Sequence, residues 1–375
     1  MTLRVGKLVY GMIRLLPCLL AVLLASSCSS DVNSDEQKGD KTLVTLTIAA
    51  SGNAATASRA ISGNSSTITR AGVSDSNDKD YYISDLTVLI FDESGNVIGS
   101  TTKQASDLSI ADGKITIKVL TRAAQNCTVY AIANALALNG GNTPFAGIAT
   151  LSALTSMVKK YANADDINTE TCLLMMGKTA DKSFDTTNSG SAAAISLQRL
   201  ASRIDFKFTV NNDQTTGFPI VVDSYQLCNV PNATFYTHDD MANPKLPADN
   251  IYQNFSEQKT PVNSWDPNPT VSYVQYVYAN PAKDEAHATY LLINAHSAVT
   301  GSDGTTYKVW NSEFHVNMPD IVKPNMHYTV NITINGGATA QGDCGAVFTY
   351  NAYPYFSGSI LNPWGPNENK DLDLQ

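Results

Sequence analysis

The chain has 375 residues, 34 of them acidic and 25 basic, with a formal net charge of -9. No long Lys/Arg cluster interrupts this acidic balance, which argues against a nucleic-acid surface and against a polybasic membrane patch. Once a leader and tether are set aside, the length leaves room for two domains.

Arg4, Lys7 and Arg14 form a basic start, followed by an apolar run from Leu15 to Ala25. That run is too short for a comfortable membrane span, and it reads as a secretory leader. It ends in Ala25-Ser26-Ser27-Cys28, which resembles a bacterial lipobox. The pattern implies cleavage before Cys28 and acylation of its thiol; an ordinary leader with an incidental cysteine is the alternative. Residues 29–42 form a polar tether. No later segment is long and apolar enough to cross a bilayer, so the lipid would be the anchor.

Leu43 to Ala50 alternates as a strand does, and residues 51–82 then turn rich in Ser, Gly, Asn and Asp, with Arg59 and Arg70 inside. Asp85–Asp92 is a strand, Glu93-Ser94-Gly95-Asn96 a turn, and Val97 starts the return. Strands follow at Lys114–Leu120 and Cys127–Asn134. Thr150 caps a predicted helix in which Leu151, Leu154, Val158 and Tyr161 recur at helical spacing. Ile195–Val210 reads as a strand and Asn211–Gly217 as a linker. A second block places strands at Ile220–Asn229, Val271–Tyr278, Ala288–Ala295, Tyr307–Val316 and His327–Asn335, with Pro231–Pro269 as surface loops. Two blocks of closely spaced strands with few helices predict an all-β chain of two sandwich-like domains.

Catalytic signatures are missing: there is no GxSxG elbow, HExxH helix, P-loop or dinucleotide fingerprint. His238-Asp239-Asp240 reads as a solvated loop rather than a metal site. Asp75, Asp78 and Asp80 lack the spacing, glycine and terminal glutamate of a calcium loop and read as a flexible acidic linker. His287, His296, His315 and His327 lie in or beside strands as face or edge residues. Cys127, Cys172, Cys228 and Cys344 are widely separated without a CxxC pattern; they either pair in an oxidising compartment or remain buried thiols. The reading is therefore of a non-enzyme with no cofactor, no metal and no nucleic-acid partner. Tyr350, Tyr353, Tyr355, Phe356 and Trp364 cluster late in the chain, either to stack on sugars or to fill a partner's pockets.

Several segments, in order, resemble the Bacteroidales fimbrillins of the FimA and Mfa type that build type V pili. They are the lipobox at Cys28, LVTLTIAA, an Arg-Ala junction, LTVLIFD, LQRLASRIDF, YQLCNVPN, YVYANP, TYLLINA, NMHYTVNITING and Pro363-Trp364. The resemblance implies two tandem Greek-key, transthyretin-like β-sandwiches. It divides the chain into a leader (1–27), a tether with a removable strand (28–70), an N-terminal sandwich (71–212) and a C-terminal sandwich with a donor segment (213–375). It further implies a lipoprotein precursor at the outer-membrane surface, cut after Arg70 or Arg59 by a trypsin-like, Arg-specific protease. Loss of LVTLTIAA would open a groove that another subunit's C-terminal strand fills. The donor segment is expected within Gly345–Gln375, carried by Val347, Tyr350, Leu361 and Trp364. The implied partners are other copies of the chain, related pilins, and host or bacterial surface receptors. A tip or anchor pilin, and a surface lipoprotein that binds glycans, are the alternatives.

Overall fold

The computed structural model describes residues 41–49, 78–80, 82–111, 114–185, 193–211, 219–259, 270–300, 302–318, 321–335, 346–354 and 369–370. Strands dominate them, as the alternating sequence predicts. The first block contains β1 (Lys41–Ala49), β2 (Asp85–Phe91), β3 (Val97–Gln104), β4 (Ser109–Ala111), β5 (Lys114–Arg122), β6 (Ala124–Ala133), β7 (Val158–Lys160), β8 (Met175–Phe184), β9 (Ala193–Ser196) and β10 (Gln198–Arg199). All but β7 join one sheet in the order β10-β8-β6-β2-β3-β5-β1-β9, with β4 added beside β5.

This sheet curls around its own core. Between β3 and β5 the pairing is a single step, Gly99 opposite Thr121, so the sheet creases there. A side chain at Gly99 would place its Cβ 2.7 Å from the Thr121 Cβ, which explains the glycine. Gly177 in β8 makes a second close approach: a Cβ there would lie 2.5 Å from the Ser196 carbonyl oxygen of β9. The two flanks are thereby brought face to face over Val44, Leu46 and Ile48 of β1, Ile115, Ile117 and Val119 of β5, and Leu86, Val88 and Ile90 of β2. Strand β2 is buried along its whole length. Its other face (Leu89, Phe91) packs with Tyr130, Leu138, Phe145 and Leu154 in a separate cluster. The turn expected at 93–96 forms, with Gly95 at φ +79°, a conformation that favours glycine.

The second block holds β11 (Ala201–Asn211), β12 (Ile220–Cys228), β13 (Val230–Pro231), β14 (Ala233–Phe235), β15 (Tyr252–Gln253), β16 (Gln258–Lys259), β17 (Thr270–Tyr278), β18 (Tyr290–Thr300), β19 (Thr306–Asn317), β20 (Met326–Asn335), β21 (Ala346–Pro354) and β22 (Asn369–Lys370). One sheet runs β17-β11-β20-β21-β22, the other β16-β12-β18-β19. Ile204, Phe206, Phe208 and Val210 of β11 join Val222 and Leu227 of β12, Leu291 and Ile293 of β18, and Val330 and Ile332 of β20 in the shared core.

Three sequence readings change. The helix α1 (Leu151–Thr155) starts as predicted, with the Thr150 hydroxyl accepting from the Ala153 amide, but it stops before Val158 and Tyr161. Residues Val158–Lys160 pair instead with Ala233–Phe235, and the amide of Tyr161 donates to the Asn232 carbonyl. A helix this short has little cooperative stability, so long-range pairing wins. The single strand expected over Ile195–Val210 is three strands, and sheet membership changes at Leu200 rather than at the 211–217 segment. Within the stretch read as surface loops, Asn232, Ala233, Thr234, Tyr236, His238 and Phe255 are buried.

Candidate functional site

Strand β1 is the feature that sets this chain apart from a plain sandwich. It comes from far upstream, yet it sits inside the sheet between β5 and β9. Its nine residues pair antiparallel with β5, from Lys41 opposite Arg122 to Ala49 opposite Lys114. On its other side Leu46–Ala49 pair parallel with Ala193–Ser196. Alternation sends Val44, Leu46 and Ile48 into the core, none more than 2% exposed. Leu43 points outward, opposite Leu120, and these two side chains are 46% and 56% exposed. Thr42 is also buried, its hydroxyl donating to the Asp185 carbonyl at 3.0 Å.

Taking β1 away would expose three large aliphatic side-chain sites, worth roughly 1.5–3 kcal/mol each. It would also strip one row of partners from β5 and the only ladder that β9 has among the described residues. Unpaired edges of that kind recruit another strand. The first sandwich is thus built around a strand whose removal leaves a strand-shaped gap about 30 Å long, at 3.4 Å per residue.

Downstream of β1, Asp80 is pinned in place. Asp80 is 1% exposed. Its carboxylate lies 3.3 Å from Arg203 Nη1, and its carbonyl accepts from Arg199 Nε at 2.6 Å. Arg203 also grips Asp205 in a two-pronged pair, Nε to Oδ1 at 2.7 Å and Nη2 to Oδ2 at 2.9 Å. His327 Nε2 stands 3.0 Å from the same Asp205 Oδ2. Burial opposes the charge on Asp205, but hydrogen bonds from His327 and Arg203 outweigh it and hold the carboxyl below its usual range. Burial likewise opposes the Arg203 charge, which Asp205 and Asp80 more than restore. Next door, Lys79 donates to the Asn168 carbonyl at 3.1 Å and lies 4.0 Å over the Tyr276 ring. Asp85 accepts from the amides of Leu136 and Ala137, both at 2.9 Å. Lys79, Asp80 and Asp85 thereby tie this segment to both blocks.

Sequence reasoning missed this clamp. Asp80, read as part of a flexible acidic linker, is a buried ion-pair partner, and His327, read as a face or edge residue, is buried on the face that meets Asp205. His238 is likewise buried, hydrogen-bonded to the Thr234 hydroxyl at 3.0 Å, and burial pushes its pKa down to about 4. Asp239 pairs with Lys178 at 2.9 Å. The cysteine alternative resolves for three of the four: Cys127, Cys172 and Cys228 are buried free thiols. Burial lifts Cys127 to about 11 and Cys172 to about 12, well away from thiolate reactivity. Among the described residues no three His, Cys, Asp or Glu side chains gather as a metal would need.

Of the residues singled out for processing and exchange, Cys28, Arg59, Arg70, Leu361 and Trp364 lie outside the described residues, as does Cys344. Val347 and Tyr350 lie in β21, which pairs along its length with β20 of the same chain, Val347 opposite Thr333 and Tyr350 opposite Val330. Among the described residues beyond β21, the two of β22 continue that sheet.

Residues 44–223 match the profile of the family described as "Major fimbrial subunit protein (FimA)". Over that stretch the chain resembles the FimA fimbrillins. The matched span begins within β1 and runs through the whole first sandwich into β12. The family is one of fimbrial structural subunits, not of enzymes. A search of the curated proteins gives no match. Among solved structures, this chain resembles a fimbrilin (FimA) from Porphyromonas gingivalis W83, with a TM-score of 0.52 at 15% identity, covering 84% of this chain and 97% of that one. It also resembles a candidate cell adhesion protein from Parabacteroides distasonis ATCC 8503, with a TM-score of 0.55 at 16% identity, covering 86% and 98%. A third, from Bacteroides eggerthii DSM 20697 and also a candidate cell adhesion protein, gives 0.53 at 18% identity, covering 84% and 97%. At these identities the structures speak to the fold of this chain, which they share over most of its length.

Proposed function

We propose that this chain is a fimbrillin, a polymerising subunit of a surface pilus, delivered as a lipoprotein through Cys28 and released for assembly by cleavage after Arg70 or Arg59. The observation that carries the reading is the position of β1: an upstream strand, separated by a long Ser/Gly-rich segment, that completes the core of the first sandwich. While β1 is in place the monomer has a closed core; without it the gap between β5 and β9 accepts a strand from another subunit. Head-to-tail repetition of that contact does not close and gives a filament.

The ladder geometry sets what a replacement must supply. To reuse the same hydrogen bonds it runs antiparallel to β5 and parallel to β9, and it presents apolar side chains at the places of Val44, Leu46 and Ile48. The C-terminal segment containing Val347, Tyr350, Leu361 and Trp364 is the proposed donor, and β21 holds a peripheral place in its sheet. The remaining partners proposed are related pilins, a trypsin-like protease, the outer membrane before processing, and surface receptors on host or bacterial cells.

Brief treatment of the purified precursor, lacking its leader and Cys28, with trypsin at low dose tests this. The expected result is a discrete cut after Arg70 or Arg59, followed by growth into ladders on size-exclusion chromatography. A chain that resists the cut, or a cut product that stays monomeric, contradicts it.

A further inference from the structure

Among the described residues the second sandwich is open along one side. Between the edge strands β17 and β16 lies a cavity of about 750 Å³, bounded by the 3-10 helix Ala164–Asn168 and the segment 253–256. Its floor is Tyr273 and Phe255, 7% and 2% exposed. The volume falls within the range of small-ligand sites, but the lining does not resemble an apolar pocket.

Two kinds of polar side chain line it. The first kind is committed to the protein and fixes the walls. Asn168 accepts from the Tyr276 amide at 2.7 Å and donates to the Tyr276 carbonyl at 3.3 Å. Gln253 accepts from the Ala164 amide at 2.6 Å. Asp165 accepts from the Ser256 hydroxyl at 2.7 Å and from its amide at 3.1 Å. The second kind keeps unspent capacity. Among the described residues the Gln275 carboxamide and the Tyr273 hydroxyl make no hydrogen bond, Asn254 uses only its oxygen (accepting from the Asn229 amide), and Gln258 uses only its nitrogen.

Chemistry then narrows the ligand. Among the described residues no Lys, Arg or His lines the cavity, which disfavours an anion. The carboxylates of Asp165 and Asp166 are occupied by Ser256 and by the Asn163 amide, which weakens their pull on a cation. Free amide N–H and C=O groups beside a phenol match a molecule that donates and accepts at neighbouring atoms without charge, as sugar hydroxyls do. An apolar ligand would leave those groups unpaired at a cost.

We propose that this seam is a binding site for a neutral saccharide, held by Gln275, Asn254, Gln258 and the Tyr273 hydroxyl. It is formed by the second sandwich together with residues 163–169, uses no residue of β1, and is present in the uncut monomer, so it stands or falls apart from strand exchange. The test is to apply the uncut chain, from Ser29 onward, to an array of hexose and N-acetylhexosamine oligosaccharides, neutral and acidic. The expected result is retention on neutral members, with binding weakened at least tenfold by Gln275→Ala combined with Asn254→Ala. The same double substitution leaves the thermal midpoint within a few degrees, and Lys118→Ala in the first block binds as the parent does. Retention on no neutral glycan, preference for acidic ones, or binding unchanged in the folded double variant overturns the proposal.

Discussion

Arg203 holds two carboxylates, Asp80 and Asp205, in a setting almost closed to water. Replacing it with Met leaves both acids buried without their shared cation, and the expected cost is about 3–5 kcal/mol, read as a lower urea midpoint. An unchanged midpoint would show that the clamp contributes nothing. His238 gives a pH signature. Its folded pKa, about 4, lies below the ordinary 6.5, so between those values the unfolded chain binds the extra proton. Stability is therefore full above pH 6.5 and falls as the pH drops toward 4, by about 3 kcal/mol at 1.36 kcal/mol per unit. Denaturation titrations of the parent and His238→Gln check it, since the substitution should flatten that slope. Asp205 acts in a lower window: its depressed pKa gives stability that is lost only as the pH falls below the ordinary carboxylate value of 3.8. None of these contacts was legible in the sequence. Asp80 and Arg203 are 123 residues apart, and an Asp among Ser and Asn carries no local mark of a partner that distant.

Elements behave differently, because alternation is a local signal. The strands β1, β2, β5, β12, β17 and β20 stand close to where the pattern of apolar and polar residues places them. Strand β8 was not anticipated: Gly-Lys-Thr-Ala-Asp-Lys lacks the alternation, and only its first three residues and last one are buried. What sheet each strand joins was also hidden, as the passage from β9 to β11 through Leu200 shows. The roles of β1's two faces give a direct prediction. Leu46→Ala should cost about 2–5 kcal/mol through the cavity it leaves, whereas Leu43→Thr on the exposed face should stay within about 0.5 kcal/mol. Equal effects by chemical denaturation would refute the assignment of faces. Gly177→Ala should destabilise the first sandwich, since its Cβ would meet the Ser196 backbone.

At the scale of the whole molecule, the blocks share structure beyond a linker. Strand β7 of the first pairs with β14 of the second. Tyr236 packs edge-on against Phe145 with ring centroids 5.3 Å apart, and Arg203 of β11 reaches Asp80. Such continuity predicts one cooperative thermal transition by calorimetry; two separated transitions would mean the blocks unfold independently. The central claim is that β1 has to leave for subunits to join, and residues 43 and 120 allow it to be tested directly because they face each other across the β1–β5 ladder on the solvent side. A Leu43→Cys, Leu120→Cys variant, oxidised to lock β1 in place and then cut with trypsin, should remain monomeric by size-exclusion chromatography. Adding reductant should release growth into ladders. Polymerisation that proceeds equally with the bond intact would contradict the account.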